Sequence, residues 1–521
     1  MPSLAAFARS WILLVALLSA CASLPPNTGR TESHAVRDTA GTHVGQIVNG
    51  QLAKHPGQNA FRPLSDDTAA LHARLALAEA AELSIDVQYY IWHDDASGRQ
   101  LADALVRAAD RGVRVRVLLD DVGTQADDRV LRLLDVHPNI EIRLFNPVAS
   151  RSLRSLGMLW DFSRTNRRMH NKAFIADNQV AILGGRNIGD EYFGVSEDFV
   201  FDDLDVLSYG PVVPRISQAF DSFWNAPPAY PIATLSESPP DTATLGAVRD
   251  ALTEASARPA GGVDPADDPV VAALGVDAKR LYWGWARLIH DGPDKIERDP
   301  GSDDSPVTTD FFRRANRVSH ELTIISAYFV PGKAGLAWLQ ELAARGVRIT
   351  ILTNSLAASD VAAVHAGYAR YREALLEAGV RLYELKPLPS PGARPPLGPN
   401  SSGVGSSQAS LHAKTFMFDR RAVYIGSLNL DQRSVRLNTE IGLLCESPSL
   451  TESLLEALEG SLDKVAWRLA LDSDESGRRH LVWIETDENG EEHRLTDEPG
   501  ASWWRRAGVW LLGLLPIESQ L

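Results

Sequence analysis

The feature that most constrains this chain is an internal repeat of one short residue pattern. His170, Lys172 and Asp177 follow the spacing H-x-K-x4-D, and Asn187 lies 17 residues after the histidine. The same residue types recur at the same offsets in the second half of the chain, at His412, Lys414, Asp419 and Asn429. Two copies that agree at four positions exclude coincidence and indicate a duplicated structural unit.

The sequence around each copy indicates that the duplicated unit is α/β. In each half, a stretch rich in β-branched and aromatic residues is followed by a helical stretch and then by Arg-Gly-Val-Arg, which begins at Arg111 and again 234 positions later at Arg345. These patterns predict four strands, at Leu83–Ile91, Arg111–Leu119, Leu322–Val330 and Arg345–Leu352. The predicted fold class is α/β, with two duplicated lobes of mixed sheets flanked by helices and one active site at the pseudo-twofold interface.

A chain of 521 residues is long enough for several domains. Changes in composition divide it into six segments: a lipoprotein signal peptide at 1–20, a tether at 21–60, an N-terminal lobe at 61–230, an irregular connection at 231–310, a C-terminal lobe at 311–470, and a hairpin with a C-terminal interfacial helix at 471–521.

The N-terminus has the pattern of a bacterial lipoprotein signal. Arg9 precedes an apolar run at Trp11–Leu18 that is too short to cross a bilayer, and Ser19-Ala20-Cys21 follows. Small residues before a cysteine at this point resemble a lipobox. The pattern predicts a lipid anchor on Cys21 in the bacterial cell envelope, with the protein facing the periplasm. The alternative is an ordinary secretory signal in which Cys21 is incidental.

The C-terminal run Trp503–Ile517 is a second candidate for contact with a membrane. Its tryptophans alternate with Arg505, Arg506 and a leucine-rich stretch, which is the composition of an interfacial helix. The alternative is a terminal helix docked on the core. No segment of the mature chain reaches about 18 uninterrupted apolar residues, so no transmembrane helix is expected.

The composition excludes several classes of function. The formal net charge of −15 argues against a protein whose main role is to bind nucleic acid. Two cysteines, Cys21 and Cys445, exclude a disulfide framework and a cysteine-rich metal site. The sequence also contains no histidines at metal-ligand spacing and no nucleotide-binding loop. Neither a metal nor another cofactor is therefore expected.

The repeated residues suit the chemistry of a phosphodiester. Residues i and i+2 of a strand point to one face, so His170 lies beside Lys172 and His412 beside Lys414. Lysine ammonium groups and the amides of Asn187 and Asn429 can hold the non-bridging oxygens of a phosphate. One neutral imidazole can attack phosphorus while the other, protonated, gives a proton to the leaving alkoxide.

Each imidazole also needs a carboxylate that fixes its orientation. Comparison of Asn438–Ile441 with Asp203–Val206 selects Glu440 and Asp205 for this role. Asp177 and Asp419 are expected to brace the turn that follows each motif strand. The alternative for each of these carboxylates is a solvated charge on a loop.

The doubled H-x-K-x4-D motif, followed by glycine and asparagine, resembles the phospholipase D superfamily over roughly residues 60–470. Thr353–Gly367, Tyr383–Lys386 and Trp503–Glu518 are similar to the bacterial cardiolipin synthases, within them the cardiolipin synthase C group. The resemblance implies metal-independent transphosphatidylation through a covalent phosphatidyl-histidine. It also implies that His170 is the nucleophile and His412 the general acid, which the residues alone do not rank.

The function expected is that of a membrane-associated phosphatidyltransferase. It would pass a phosphatidyl group from phosphatidylglycerol or phosphatidylethanolamine to phosphatidylglycerol, making cardiolipin. The alternatives are a phospholipase D that releases phosphatidic acid, a phosphodiesterase acting on nucleic acid, and a non-catalytic envelope scaffold. Phospholipids and the membrane surface are the expected partners, and the need for an accessory protein stays open. The lipoprotein signal departs from the family, whose members are more often held by transmembrane helices.

Overall fold

A computed structural model describes residues 23–124, 127–151, 153–196, 199–235, 244–256, 269–274, 281–299, 305–389, 408–487, 489–515 and 520. The signal peptide at 1–20 and the candidate lipidation site Cys21 lie outside these residues. Within the described part, no helix is both long and apolar enough to span a membrane.

The N-terminal part of the chain alternates helices and strands. Its helices are α1 (His43–Leu52), α2 (Asp67–Ala80), α3 (Ala96–Asp110), α4 (Asp128–Leu134), α5 (Arg154–Trp160), α6 (Phe162–Thr165) and α7 (Val213–Trp224). Its strands are β1 (Asn59–Leu64), β2 (Ser84–Tyr89), β3 (Arg114–Asp120), β4 (Ile140–Phe145), β5 (Ala173–Ala176), β6 (Val180–Gly184), β7 (Phe199–Asp202), β8 (Asp205–Tyr209) and β9 (Ala229–Pro231).

The rest of the chain repeats this alternation and extends it. The helices are α8 (Leu245–Ser256), α9 (Pro269–Leu274), α10 (Pro306–Ala315), α11 (Gly332–Ala344), α12 (Ala362–Ala369), α13 (Arg372–Glu377), α14 (Gln432–Arg436), α15 (Pro448–Val465) and α16 (Trp503–Gly513). The strands are β10 (Tyr282–His290), β11 (Glu321–Ser326), β12 (Arg348–Asn354), β13 (Arg381–Leu385), β14 (Leu388–Pro389), β15 (Gln408–Leu411), β16 (Lys414–Phe418), β17 (Ala422–Gly426), β18 (Ile441–Glu446), β19 (Ala466–Ser473), β20 (Arg479–Thr486) and β21 (Glu492–Leu495).

The two lobes contain the same arrangement of strands. In the first lobe the neighbours run β4-β3-β2-β5-β6-β8, with β2, β3 and β4 parallel and the others antiparallel. In the second they run β13-β12-β11-β16-β17-β18 with the same directions. The predicted duplication of a mixed α/β unit is therefore confirmed.

The turn between helix and strand is also repeated. Gly112 follows α3 with φ +96°, and Gly346 follows α11 with φ +86°. A left-handed residue after a helix ends it and redirects the chain, and glycine adopts this conformation without steric cost. The two Arg-Gly-Val-Arg segments thus turn each helix back into the central strand of its sheet.

The connection expected to be irregular but partly ordered contains strand β10, which joins the two sheets into one sheet of eighteen strands in the described part of the chain. Strand β10 pairs antiparallel with β1 of the first lobe and with β18 of the second. Its sequence, Tyr-Trp-Gly-Trp-Ala-Arg-Leu-Ile-His, is rich in aromatic and β-branched residues, which favour a strand. The lobes are therefore tied side by side through backbone hydrogen bonds.

The segment expected to be a tether is ordered on the first lobe from residue 23 onward. Asn27 donates from Nδ2 to the carbonyl oxygens of Pro227 and Ala229, both at 2.9 Å. The amide of Ala35 donates to Asp221 in α7 at 2.9 Å, and α1 and β1 follow. Backbone carbonyls and a carboxylate of the first lobe thus accept hydrogen bonds from this polar segment.

Candidate active site

The two motif segments occupy equivalent places in the two lobes. His170 and Lys172 lie directly before β5, which is antiparallel to β2, and His412 lies before β16, which is antiparallel to β11. Each motif segment therefore lies at the edge of its sheet where the parallel strands end. In open α/β sheets this is the edge at which ligands bind.

The motif aspartates hold the opposite edge of each lobe. Asp177 accepts hydrogen bonds from the backbone N–H groups of residues 82, 83 and 84, at 2.8 to 3.0 Å. Asp419 accepts three from residues 319, 320 and 321, at 2.8 to 3.2 Å. Each carboxylate thus joins the turn after its motif strand to the start of the neighbouring strand, as expected for a structural brace.

The first histidine is held by the second lobe. The amide of His170 donates to the carbonyl of Thr439 at 3.0 Å, and the amide of Thr439 donates back to Arg168 at 3.0 Å. The next residue, Glu440, has Oε2 2.9 Å from Nδ1 of His170. Ser427 and the amide of Ile441 continue this network, since the Ser427 hydroxyl contacts Glu440 and accepts from Ile441 at 3.0 Å. The expected contact between Glu440 and a motif histidine is present.

The second histidine is held by the first lobe in the same way. Strand β15, which leads into His412, pairs with β7, and the amide of His412 donates to the carbonyl of Asp202 at 2.8 Å. The next residue, Asp203, has Oδ2 2.6 Å from Nδ1 of His412. Each imidazole is thus paired with a carboxylate from the opposite lobe, so the two motifs form one site and not two.

The expectation that Asp205 orients a histidine is wrong. Its carboxylate is buried against two guanidinium groups, with Oδ2 2.7 Å from Arg74 and 3.6 Å from Arg186. The pairing of β6 with β8 opposes Gly184 to Asp205, and the pairing of β17 with β18 opposes Gly426 to Gly442. Asp203 therefore corresponds to Glu440, two residues upstream of the position that sequence comparison selected.

Small residues beside the carboxylates make this arrangement possible. A Cβ atom added to Gly185 would lie 2.2 Å from Oδ1 of Asp203, closer than any real contact. The equivalent residue in the second lobe is Ser427, whose hydroxyl contacts Glu440. The residue directly after each of the strands β6 and β17 thus acts on the nearby carboxylate. Gly185 leaves space for Asp203, and Ser427 at the equivalent position gives Glu440 a hydrogen-bond donor.

Both motif lysines are buried with their ammonium groups at the centre of the site. Lys172 Nζ donates to the carbonyl of His170 at 2.7 Å, and Lys414 Nζ contacts the carbonyl of His412. Burial lowers the pKa of Lys172 well below its usual range, and it lowers the pKa of Lys414 to about 8 despite the nearby carboxylates. The positive charge of Lys414 also lowers the pKa of Lys172, because the two ammonium groups share one enclosure.

The two motif asparagines are not equally constrained. Asn187 accepts from the amide of Ile91 at 3.2 Å and donates to the hydroxyl of Tyr192 at 3.0 Å. Within the described part of the chain, Oδ1 of the buried Asn429 has no hydrogen-bond partner. Hydrogen bonds thus fix both ends of the Asn187 amide, whereas the buried amide oxygen of Asn429 is not fixed by one among the described residues.

Two tyrosines enclose the histidine rings. The ring of Tyr90 meets His170 edge-on at a centroid distance of 5.1 Å, and the ring of Tyr192 meets His412 at 5.2 Å. Only 8 % of His170 and 5 % of His412 is exposed to solvent. The two rings are therefore largely shielded from solvent, so charges around them interact strongly.

The two histidine–carboxylate pairs differ in charge. Burial, followed by the charge of Lys172, lowers the pKa of His170 well below its usual range, and burial with Lys414 lowers the pKa of His412 to about 4. Burial raises the pKa of Glu440 to about 7. The pKa of Asp203 is about 2, because His412 and Lys414 outweigh its burial. His170 thus faces a carboxyl that is close to half protonated at neutral pH, and His412 faces a full negative charge.

Sequence reasoning missed a supporting ion pair behind Glu440. Asp291 accepts from Lys295 Nζ at 2.7 Å and from the amide of Glu440 at 3.1 Å. Lys295 also donates to the carbonyl of Ser434 at 3.0 Å. The available signal was the pair of opposite charges four residues apart, Asp291 and Lys295, directly after the aromatic strand β10.

Two groups of histidine and carboxylate side chains in the described residues come within metal-ligand spacing. They are His93, Asp95 and Glu191, and Asp487, Glu491 and His493. In the first group both oxygens of Asp95 already accept backbone N–H bonds, from Gly98 and Asp190. The second group lies mostly on the surface, where such groups are common, and we assign a metal to neither.

In each of the paired imidazoles Nδ1 lies against a carboxylate, which makes Nε2 the ring nitrogen suited to attack or proton transfer. Two ammonium groups and two amides surround them. This set can bind a phosphodiester, attack its phosphorus with a nitrogen nucleophile and protonate the group that leaves.

Comparisons with known proteins agree with this geometry. The family described as "Cardiolipin synthase, PLD-like domain" matches residues 75–224 and 311–461, one match in each lobe. Cardiolipin synthase C of Escherichia coli (strain K12) is 45% identical over 473 residues, which cover 89% of this chain and 97% of that protein. Cardiolipin synthase A of Pseudomonas entomophila (strain L48) is 28% identical over 81% of this chain and 72% of that protein.

Among solved structures, the phosphatidylserine synthase of Haemophilus influenzae Rd KW20 superposes with a TM-score of 0.53 at 16% sequence identity, covering 82% of this chain and 92% of that chain. At this identity the likeness concerns the fold alone. The family matches both lobes, and one relative is 45% identical over nearly its whole length. The chain therefore belongs to the cardiolipin synthases of the phospholipase D superfamily, and it is a phospholipid phosphatidyltransferase.

Proposed function

We propose that this protein makes cardiolipin by transphosphatidylation, through a phosphatidyl-histidine intermediate on His170. The observation that carries the proposal is the exchange of carboxylates between the lobes: Glu440 binds His170, and Asp203 binds His412. This exchange supports one site in which two imidazoles act on a single phosphorus atom. The similarity to cardiolipin synthases supports the choice of substrate.

In the first half of the reaction, Nε2 of His170 attacks the phosphorus of a phosphatidylglycerol or phosphatidylethanolamine molecule. A phosphorus–nitrogen bond forms, and the bond from phosphorus to the headgroup oxygen breaks. His412 in its protonated form gives its Nε2 proton to that oxygen, so glycerol or ethanolamine leaves as a neutral alcohol. The lysine ammonium groups and the asparagine amides hold the non-bridging oxygens.

In the second half, His412 is neutral and accepts the proton of a hydroxyl on the headgroup glycerol of phosphatidylglycerol. That oxygen attacks phosphorus, the phosphorus–nitrogen bond breaks, and cardiolipin is released with His170 restored. One phosphodiester replaces another, so the exchange is close to neutral in free energy and needs no nucleotide.

The charges around each histidine support this division of roles. The lowered pKa of His170 keeps its imidazole neutral and able to attack. The negative charge of Asp203 stabilises a proton on His412, as a general acid requires. In the empty site the pKa of His412 is about 4. A bound phosphate places a negative charge between the lysines, which offsets the effect of Lys414 and raises that pKa.

We further propose that the protein is anchored in the bacterial envelope through a lipid on Cys21 and faces the periplasm. The lipobox-like sequence Leu18-Ser19-Ala20-Cys21 supports the anchor. The variant Cys21→Ala is expected to be released from the membrane fraction by alkaline carbonate, which removes peripherally bound proteins, whereas the unaltered protein is retained by its acyl chains. A variant that stays with the membrane after this extraction would contradict a lipid anchor at this residue.

The experiment that tests the activity is lipid mass spectrometry of the purified full chain on phosphatidylglycerol vesicles, with and without phosphatidylethanolamine. The expected products are cardiolipin with glycerol or ethanolamine, and EDTA is expected to leave the rate unchanged. His170→Ala and His412→Ala should each abolish turnover, because the two imidazoles act as one unit. His493→Ala, at an exposed histidine, is the control and should keep full activity. Phosphatidic acid as the sole lipid product would show a hydrolase instead.

A further inference from the structure

Two exposed apolar surfaces lie on the same edge of the molecule as the motif histidines. The first, here called the α5–α6 tip, consists of Leu153, Leu156, Leu159, Trp160 and Phe162. The second, the α16 stripe, consists of Trp503, Trp504, Trp510, Leu511 and Leu514. Leu159 is 70 % exposed and Trp160 66 %, and Trp504 is 70 % and Trp510 68 %. Clusters of large apolar side chains this exposed mark an interaction surface.

The α16 stripe covers the outer face of its helix, whereas the Arg505 side chain points inward. The Arg505 guanidinium donates to the backbone carbonyls of Ala357 and Ser359, and Arg370 donates to the carbonyl of Gly513 at 3.0 Å. Val509 fills the contact with α12. An ordinary surface helix presents charge to solvent and packs its apolar side on the core. Helix α16 packs Val509 inward but also exposes its tryptophans and leucines, which indicates that its outer side meets an apolar phase.

The α5–α6 tip is presented by a rigid polar base. Asn146 Nδ2 donates to the carbonyls of Arg164 and Arg167 at 3.0 and 2.8 Å, which closes the excursion. Arg151 donates to Asp121 and Asp128, each at 2.7 Å, which fixes its other side. The apolar side chains are therefore held outward by buried and half-buried hydrogen bonds, so their exposure is built into the local structure.

Both surfaces flank the site. The excursion of α5 and α6 leaves the carboxyl end of β4 and returns four residues before His170, at Asn166. Helix α16 packs on the segment that follows the carboxyl end of β12. The chain after α16 then reaches the end of α6, where Asn166 Nδ2 donates to Gln520 Oε1 at 2.8 Å. The tip and the stripe thus belong to one edge, which contains the entrance to the motif histidines.

We propose that the α5–α6 tip and the α16 stripe together form a bilayer-docking face, which seats the entrance of the active site against the headgroups of a phospholipid membrane. This inference rests on the proposed function, since a bilayer phospholipid presents its phosphodiester at the membrane–water interface. Tryptophan and leucine enter the boundary between headgroups and acyl chains, where amphipathic side chains are most stable. Docking by this face brings the phosphodiester to the edge that contains the two histidines.

The test uses the full chain in vesicles of phosphatidylglycerol and phosphatidylethanolamine, with a nitroxide spin label at one introduced cysteine. Labels on Leu159→Cys and Trp510→Cys are expected to be more accessible to oxygen than to a water-soluble nickel chelate. Controls are Leu83→Cys and Val136→Cys, at exposed apolar residues on the opposite edge of the sheet, and their labels should stay in water. Aqueous labels at 159 and 510, or dipolar coupling between copies at these positions, would overturn the docking face.

A second measurement separates this proposal from the proposed activity. The variant with Leu159, Trp160, Trp504 and Trp510 changed to serine should transfer phosphatidyl groups in vesicles at least about tenfold more slowly than the unaltered protein. In detergent micelles, which bring dispersed lipid to the site, its rate should stay within about twofold. The matched control is Leu83→Ser with Val136→Ser. An unchanged vesicle rate contradicts the docking face, and failure of the unaltered protein in both assays contradicts the activity alone.

Discussion

The two halves of the active site have the same geometry, but the carboxyl groups beside their histidines differ in charge. In both, a histidine donates its amide to the residue before a carboxylate of the other lobe, and its Nδ1 meets that carboxylate. The first pair combines His170 with Glu440, whose pKa burial raises to about 7, and the second combines His412 with Asp203, whose pKa is about 2. Duplication accounts for the matching positions, and under the proposed mechanism the unequal carboxylates suit the two histidines to different roles.

The surroundings of the two halves extend the contrast. Asn187 is held by Ile91 and Tyr192, whereas Oδ1 of Asn429 has no partner in the described structure. Gly185 leaves room for Asp203, whereas Ser427 occupies the equivalent position and contacts Glu440. A site built from two copies of one unit is therefore asymmetric in its hydrogen bonds as well as in its charge, which suits a reaction with one nucleophile and one acid.

The largest effect that separates the two halves is expected from neutralising their carboxylates. Asp203→Asn should lower kcat by about 10³ to 10⁴, because it removes a full charge that holds the proton on His412. Glu440→Gln should cost only about tenfold at pH 7, because the carboxyl it replaces is already close to half protonated. The measurement is steady-state transfer in phosphatidylglycerol micelles. Equal losses in the two variants would remove the charge difference as the basis of the roles.

A smaller effect concerns pH. Burial lowers the pKa of Lys414 to about 8. The side chain therefore carries a positive charge below pH 8 and loses that charge as the pH rises through this value. Since the charge holds the phosphate, kcat/KM should fall about tenfold per pH unit above pH 8. Bound phosphate stabilises the ammonium form, so kcat should fall at a higher pH than kcat/KM. Lys414→Arg keeps its charge and should lose the alkaline fall. A kcat/KM that stays flat to pH 10 would contradict this assignment.

The smallest effect on turnover is expected from Asp205→Asn, only two residues from Asp203. Asp205 neutralises Arg74 in the core and does not touch His412 in the described structure, so its loss leaves a buried guanidinium unpaired. We expect a loss of roughly 3 kcal/mol in the free energy of unfolding, with kcat nearly unchanged for the folded fraction. Denaturant unfolding together with active-site titration would measure both. A large drop in kcat without loss of stability would return Asp205 to the site.

The sequence predicts the part of the site that depends on the two-residue alternation of side chains along a strand. The alternation of side chains brings His170 to Lys172 and His412 to Lys414, and the duplication predicts that both pairs belong to related lobes. It does not separate Asp203 from Asp205, because the two acidic residues are two apart and a period of two fits either of them. In the structure Asp203 lies between β7 and β8, whereas Asp205 begins β8. Asp203 is selected by a contact between residues distant in sequence. The amide of His412 bonds to the carbonyl of Asp202, which places the next residue, Asp203, beside the imidazole.

The connection between the lobes shows a similar limit. Residues 231–310 are rich in proline, aspartate and alanine, which indicates irregular structure, yet Tyr282–His290 forms the strand that joins the two sheets. An isolated apolar stretch becomes a strand when edges on both sides offer backbone partners, and those edges come from distant parts of the chain. For the same reason the sequence does not decide which face of α16 points outward. That orientation depends on hydrogen bonds from Arg505 to Ala357 and Ser359, which are distant in the chain.

In the proposed mechanism the two histidines from opposite lobes act on one phosphorus atom, with His170 as the nucleophile. It is tested most directly by rapid alkaline quenching of the full chain during turnover on phosphatidylglycerol, followed by peptide mass spectrometry, since phosphohistidine survives in base. We expect a phosphatidyl adduct on the peptide that contains His170, formed and consumed within one turnover, and none on the peptide that contains His412. An adduct on His412, or sustained cardiolipin synthesis with an adduct on neither histidine, would contradict it.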